Sequence, residues 1–100
     1  MATIAYTVTA TFSETAVRDE FVAWLNGGHV DDVIAGGASS ASVVQDDDGK
    51  RVEVRYLFLD RERFDNYVRD VAPKLRGQGL AKFSPERGVS FARSVGIVVG

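Results

Sequence analysis

Residues 3–12, TIAYTVTATF, alternate Ile4, Tyr6, Val8, Ala10 and Phe12 with Ala5, Thr7, Thr9 and Thr11. A period of two places the first set on one face of a strand and the second on the other, so this segment reads as a strand with one apolar face and one small, polar face. The same alternation returns between Gly88 and Val98, where Val89, Phe91, Val95 and Ile97 share a face. Between them, residues 39–45 (SSASVVQ) and 51–59 (RVEVRYLFL) flank Asp46-Asp47-Asp48-Gly49-Lys50, and Asp-Gly between two such runs is a hairpin signal. In the third strand Val52, Val54, Tyr56 and Phe58 take one side and Arg51, Glu53, Arg55 and Leu57 the other.

The intervening segments change period. Val17, Phe21 and Leu25 recur every fourth residue with Trp24 beside them, behind Ser13 as N-cap and Glu14 in the first turn. Gly27-Gly28 is predicted to end this helix, and a short helical turn, HVDDVIA, precedes Gly36-Gly37. After the hairpin, Asp60 caps a helix with the stripe Phe64, Tyr67, Val68, Val71 and Leu75. Pro73 lacks a backbone donor, so this helix is predicted to bend or restart near Val71-Ala72 and to end around Gly77 to Gly79.

The order β-α-β-β-α-β predicts an α+β fold, a ferredoxin-like sandwich with a four-stranded antiparallel sheet and two helices on one face, as a single domain over residues 1–100. One sheet face is left open, and its expected lining is Thr7, Thr9, Thr11, Arg55, Leu57, Ser90, Ala92 and Ser94, although alternation alone does not fix which face of the last strand is which. That mixed, weakly charged surface suits a second copy of the chain, so a homodimer through the open face is expected.

Composition excludes several classes. The chain of 100 residues is 45% apolar, enough for one core. It has no cysteine and a single histidine, so neither a disulfide nor a zinc-type cluster can be assembled from one chain, and no metal or other cofactor is expected. Twelve basic and fourteen acidic residues are interspersed, giving a net charge of −2 and no nucleic-acid footprint. MATIAYTVTATF lacks the basic flank and apolar run of a signal peptide, and no window has the roughly 18 apolar residues of a membrane span, so a cytoplasmic location without a membrane partner is expected. Asp46-Asp47-Asp48 lacks the alternating ligands of a calcium loop, and no glycine pair is followed by the Lys-Ser or Lys-Thr of a phosphate loop.

The strand TIAYTVTATF, the Trp24-Leu25 pair, His29-Val30 followed by Asp32-Val33, the segment DNYVRDVAPKLRGQGLAKF and the final Phe91-Ala92-Arg93 carry a resemblance over nearly the full length. Together they resemble an uncharacterised bacterial family, a domain of unknown function within the dimeric α/β-barrel superfamily of ferredoxin-like folds. The resemblance implies that fold and a dimer. The superfamily includes heme-degrading and cofactor-free monooxygenases, lactone isomerases and polyketide cyclases, but a shared fold transfers none of these chemistries. Members often have an acidic residue immediately before the histidine, where Gly28 stands here.

Five residues are candidates for a site: His29 as an acid or base, with Tyr6, Trp24, Tyr56 and Arg93 as ligand-binding groups. The unperturbed pKa of imidazole lies near neutrality, which suits His29 to proton transfer; equally, it can cap the preceding helix. Trp24 reads as core or as a ligand wall, and Tyr6 and Tyr56 bring hydroxyls that need partners when buried. Arg93 interrupts the apolar face of the last strand, so a buried guanidinium is expected there, paired across a dimer or holding a carboxylate. Three readings of function stay open: a small protein binding an aromatic or acidic organic molecule in an apolar pocket, a cofactor-free enzyme (isomerase, cyclase or monooxygenase type) using His29, and an interaction module with no ligand.

Overall fold

The computed structural model describes residues 2–100. Its strands are β1 (Ile4–Phe12), β2 (Ser40–Gln45), β3 (Arg51–Phe58) and β4 (Val89–Ile97), and its helices α1 (Thr15–Trp24), α2 (Val30–Ala35), α3 (Arg61–Asp70) and α4 (Ala72–Lys82). The strands form one antiparallel sheet in the order β2-β3-β1-β4, the expected ferredoxin-like arrangement. Tyr6 lies opposite Tyr56 and Val95, and Val8 opposite Val54 and Arg93, so the apolar sets of these strands share the helix-facing side. That register also places Ser90, Ala92 and Ser94 beside Thr11, Thr9 and Thr7 on the other face.

Phe58, Val52 and Ala10 are completely buried, and Phe21, Leu25, Val33, Phe64, Tyr67, Leu75 and Phe83 close over them from the helical side. Edge-to-face and tilted ring pairs hold this layer, with Phe58 5.2 Å from both Phe64 and Tyr67 and Phe21 5.1 Å from Phe83. Such pairs add to the burial of the rings themselves.

The helical layer departs from expectation in instructive ways. The glycines do not end the first helix: α1 runs through a π-helical turn, Leu25–His29, into α2. Gly28 absorbs the kink at φ 146° and ψ −24°, and the N–H of Val30 donates to the Leu25 carbonyl across it. Gly27 keeps the chain helical, so the pair bends the helix where a terminus was expected. Glu14, and not Ser13, is the N-cap of α1, and it makes no side-chain cap. Asp60 does cap α3, accepting from the Arg63 N–H at 2.8 Å. The restart at Val71-Ala72 occurs as Pro73 requires, but α4 continues through Gly77 and Gly79 to Lys82. Each of the two expected helices is therefore a kinked pair.

Only glycine enters the backbone region of Gly28 without strain, whereas Gly27 has open space around it and no positive φ. Gly28→Ala should lower the unfolding free energy by about 1–3 kcal/mol. Gly27→Ala should leave it unchanged or raise it by up to about 1 kcal/mol, both read by urea denaturation.

Candidate functional site

The kink of the first helix, the middle of α4 and the inner sheet face do not meet completely. They leave a small cleft of about 50 Å³, open at its mouth. All five residues singled out from the sequence line it: Tyr6 from β1, Trp24 and His29 from the kinked helix, Tyr56 from β3 and Arg93 from β4. Tyr6 and Tyr56 are buried at its floor, with ring centroids 6.0 Å apart and nearly parallel. Trp24 is half-buried, forming a wall of the cleft as well as packing on the core through Phe21 and Phe83.

The π-turn positions the histidine. His29 follows Trp24 by five positions, and the wider turn brings the two rings onto the same side of the helix, stacked at 4.0 Å with an interplanar angle of 21°. His29 therefore lies inside the helical run and makes no side-chain cap. Its Nδ1 is shut off from solvent and has no hydrogen-bond partner. Burial pulls its pKa below the ordinary value of 6.5, and the charge of Asp32 opposes that shift only in part. The ring is thus neutral at pH 7.

One expectation about the arginines changes, and a second arginine enters the site. Arg93 is on the inner face but exposed, because the helices do not reach that far along the edge strand; it makes no ion pair and sits 5.8 Å from the Phe91 ring. Arg76, unremarked in the sequence reading, lines the cleft from α4 and donates to the Tyr6 hydroxyl at 3.3 Å, while its Nε is buried without a partner. A buried donor left unsatisfied costs about 1–3 kcal/mol. Tyr67, also unremarked as a site residue, completes the floor, 6.2 Å from Tyr6. Burial and its neighbour Tyr6 raise its phenol to about 12, against the lowering effect of Arg76 and Arg93. Burial raises Tyr56 further still, so both phenols keep their protons throughout the physiological range. The only sequence signal for Arg76 was its place one residue after Leu75, the last member of the apolar stripe.

Among the described residues no group of carboxylates and imidazoles has the arrangement of a metal site, and no helix is long and apolar enough to cross a membrane.

Against known families, residues 3–95 match the model described as Domain of unknown function (DUF4286). The chain belongs to this family. No curated protein matches this DUF4286 chain. Among solved structures, a dimeric ferredoxin-like protein from an uncultured marine organism superimposes with a TM-score of 0.79 at 18% identity, covering 100% of this chain and 98% of that one. A monooxygenase from the gene ActVA-Orf6 of Streptomyces coelicolor, in complex with nanaomycin D, gives 0.78 at 18% identity over 99% and 89%. SnoaB, a cofactor-independent oxygenase from Streptomyces nogalater, gives 0.70 at 7% identity over 100% and 96%. At these identities the likeness establishes for the DUF4286 chain the ferredoxin-like fold that its register already displays.

The stacked pair provides its own pH readout. A His29 whose native pKa is depressed binds fewer protons than in the unfolded chain as pH falls below 6.5, so stability should decline over that window and level off below the native pKa. Protonated imidazole accepts an electron from an excited indole, so emission of Trp24, the single tryptophan, should be quenched on acidification with a midpoint below 6.5. His29→Phe should abolish both the fluorescence titration and that part of the stability slope.

Proposed function

We propose that this protein binds a small planar aromatic molecule in the cleft between the kinked helices and the sheet, and that it does so as a homodimer. The observation that carries the reading is a cleft walled by aromatic rings at the boundary of the packed core. Its enclosed part is smaller than the roughly 150 Å³ in which a benzene molecule is held by an apolar cavity. The ligand therefore lies along the mouth, against the half-buried faces of Trp24, His29 and Phe91 and the exposed Leu80, with one edge reaching toward Tyr6 and Tyr56. His29, Tyr6, Trp24, Tyr56 and Arg93 are the proposed site residues. A pure interaction module has no use for such a cleft.

The cofactor-free enzyme reading is favoured by one observation. His29 is neutral at pH 7 and lines the cleft, so the imidazole can take up a proton from a bound ligand. Two structural neighbours, the nanaomycin-binding monooxygenase and the cofactor-independent oxygenase, carry out oxygenation on the same scaffold, which supports a catalytic use of the cleft. The dimer rests on the outer sheet face, which no helix covers and whose middle is small and polar, together with the dimeric state of a structural neighbour.

Two outcomes are expected. Naphthalene-2-carboxamide should bind with micromolar to millimolar affinity by calorimetry, and Gly79→Leu, which pushes a side chain at Trp24, should weaken it at least tenfold with unfolding free energy lowered by less than about 3 kcal/mol. Binding of neither this amide nor 2-naphthoate to the unmodified protein at millimolar concentration would remove the ligand reading. Thr9→Glu sets a charge beside Glu53 in the centre of the outer face, so sedimentation should shift from dimer to monomer.

A further inference from the structure

Of the nine arginines in the chain, Arg18, Arg51, Arg55, Arg63, Arg69 and Arg87 each hold a carboxylate. Arg61 lies on the surface against the Phe64 ring. The two that remain, Arg76 and Arg93, line the same cleft, and no aspartate or glutamate lines it with them. Asp32, whose charge is felt at His29, pairs with neither guanidinium. Both cations act on the Tyr67 phenol, which sets them around one end of the cleft.

Arginine cannot relieve such a position by losing its proton, as a lysine can. An acceptor from outside the chain would answer its unmet demand. We infer that the cleft is an anion site, in which Arg76, with Tyr6 and Arg93, holds the carboxylate of an aromatic acid. The proposal rests on the aromatic-binding reading above and names the chemical class of its ligand.

The geometry assigns distinct parts to each group. Arg76 Nε is closed to water and has no acceptor, while its Nη2 reaches only a neutral hydroxyl at 3.3 Å. A modest turn of the Arg76 side chain toward the mouth would present its Nε–Nη2 edge, where a carboxylate accepts two parallel N–H bonds, the fork that guanidinium and carboxylate share. The Tyr6 hydroxyl accepts from Arg76 and keeps its own proton to donate to the same anion. Arg93, exposed at the mouth beside Phe91, adds long-range attraction and steers the acid inward. The rest of the lining is predominantly apolar and aromatic, including Phe21, Leu25, Val54 and Leu75, which suits an aromatic ring bearing the acid better than a bare inorganic anion.

The test compares 2-naphthoate with naphthalene-2-carboxamide, a neutral molecule of the same shape, by calorimetry and by the Nε–H resonance of Arg76 in ¹⁵N-labelled protein. The naphthoate should bind at least tenfold more tightly and shift the Arg76 Nε–H signal, and the amide should leave that signal in place. Arg76→Met keeps the apolar stem and should erase the preference while the amide affinity stays within about threefold. Should this variant fold poorly, the resonance in the unmodified protein decides alone. Equal binding of acid and amide with an unmoved Nε–H would overturn the anion assignment and leave the aromatic cleft standing. Binding of neither at millimolar concentration would overturn both. Inorganic phosphate moving the Nε–H signal as strongly as naphthoate would show a general anion site and overturn the aromatic acid.

Discussion

Everything in this molecule depends on the register of β1, which pairs with β3 on one side and β4 on the other. It fixes Tyr6 against Tyr56 and Val95, Val8 against Val54 and Arg93, and Ala10 against Val52 and Phe91, so a single choice of pairing sorts the side chains of three strands into an inner and an outer set. A slip of one residue would turn Thr7, Thr9 and Thr11 onto the core and expose Tyr6 and Phe12, which makes the register as strongly specified as the core itself. The hairpin reinforces it from the other side: Gly49, at φ 75°, allows the tight turn that brings the Asp46 N–H onto the Arg51 carbonyl at 2.9 Å.

The helical layer settles how much of that inner face is covered. Two kinked helical pairs span β3 and β1 well, and residues facing them, such as Val52, Val54 and Phe58, are almost wholly buried. Coverage fails toward the end of β4, where Val95 and Ile97 face the helical side but are 47% and 53% exposed. The cleft lies at that boundary between a packed and an uncovered sheet. Straightening the first helix would move His29 off the tryptophan ring, so the π-turn shapes the site more than any loop does. Such turns occur within helices as local departures from regular geometry, and here the departure falls where two aromatic rings must stack.

Much of this was legible in the sequence. Alternation alone placed Tyr6, Tyr56 and Arg93 on the helix-facing side of their strands, and closeness along the chain put Trp24 near His29. What alternation cannot reveal is coverage: it names the face a residue points to, and burial depends on whether another element arrives there. For that reason Arg93 was read as buried and Arg76 was passed over. Two glycines misled for a related reason. A glycine after an apolar stripe reads as a helix end, yet Gly28 bends a helix and Gly79 clears space for Trp24, and both roles are set by tertiary neighbours invisible to local pattern. Ending the last helix at Gly77 to Gly79 also removed Leu80 from consideration.

The charge distribution closes the argument about what the cleft is for. A chain with a net charge of −2 has carboxylates in surplus, and six of its arginines hold one. Most of those pairs are exposed, where an ion pair contributes at most about 1 kcal/mol, so pairing there answers little energetic need. The shielded guanidinium edge of Arg76 has the greater need and has only the Tyr6 hydroxyl to meet it. A core built for stability alone would place an apolar side chain or an acid at that position. Local rules that a fold breaks without internal compensation point to a requirement external to the fold, and for a cation in an aromatic cleft that requirement is a negatively charged ligand.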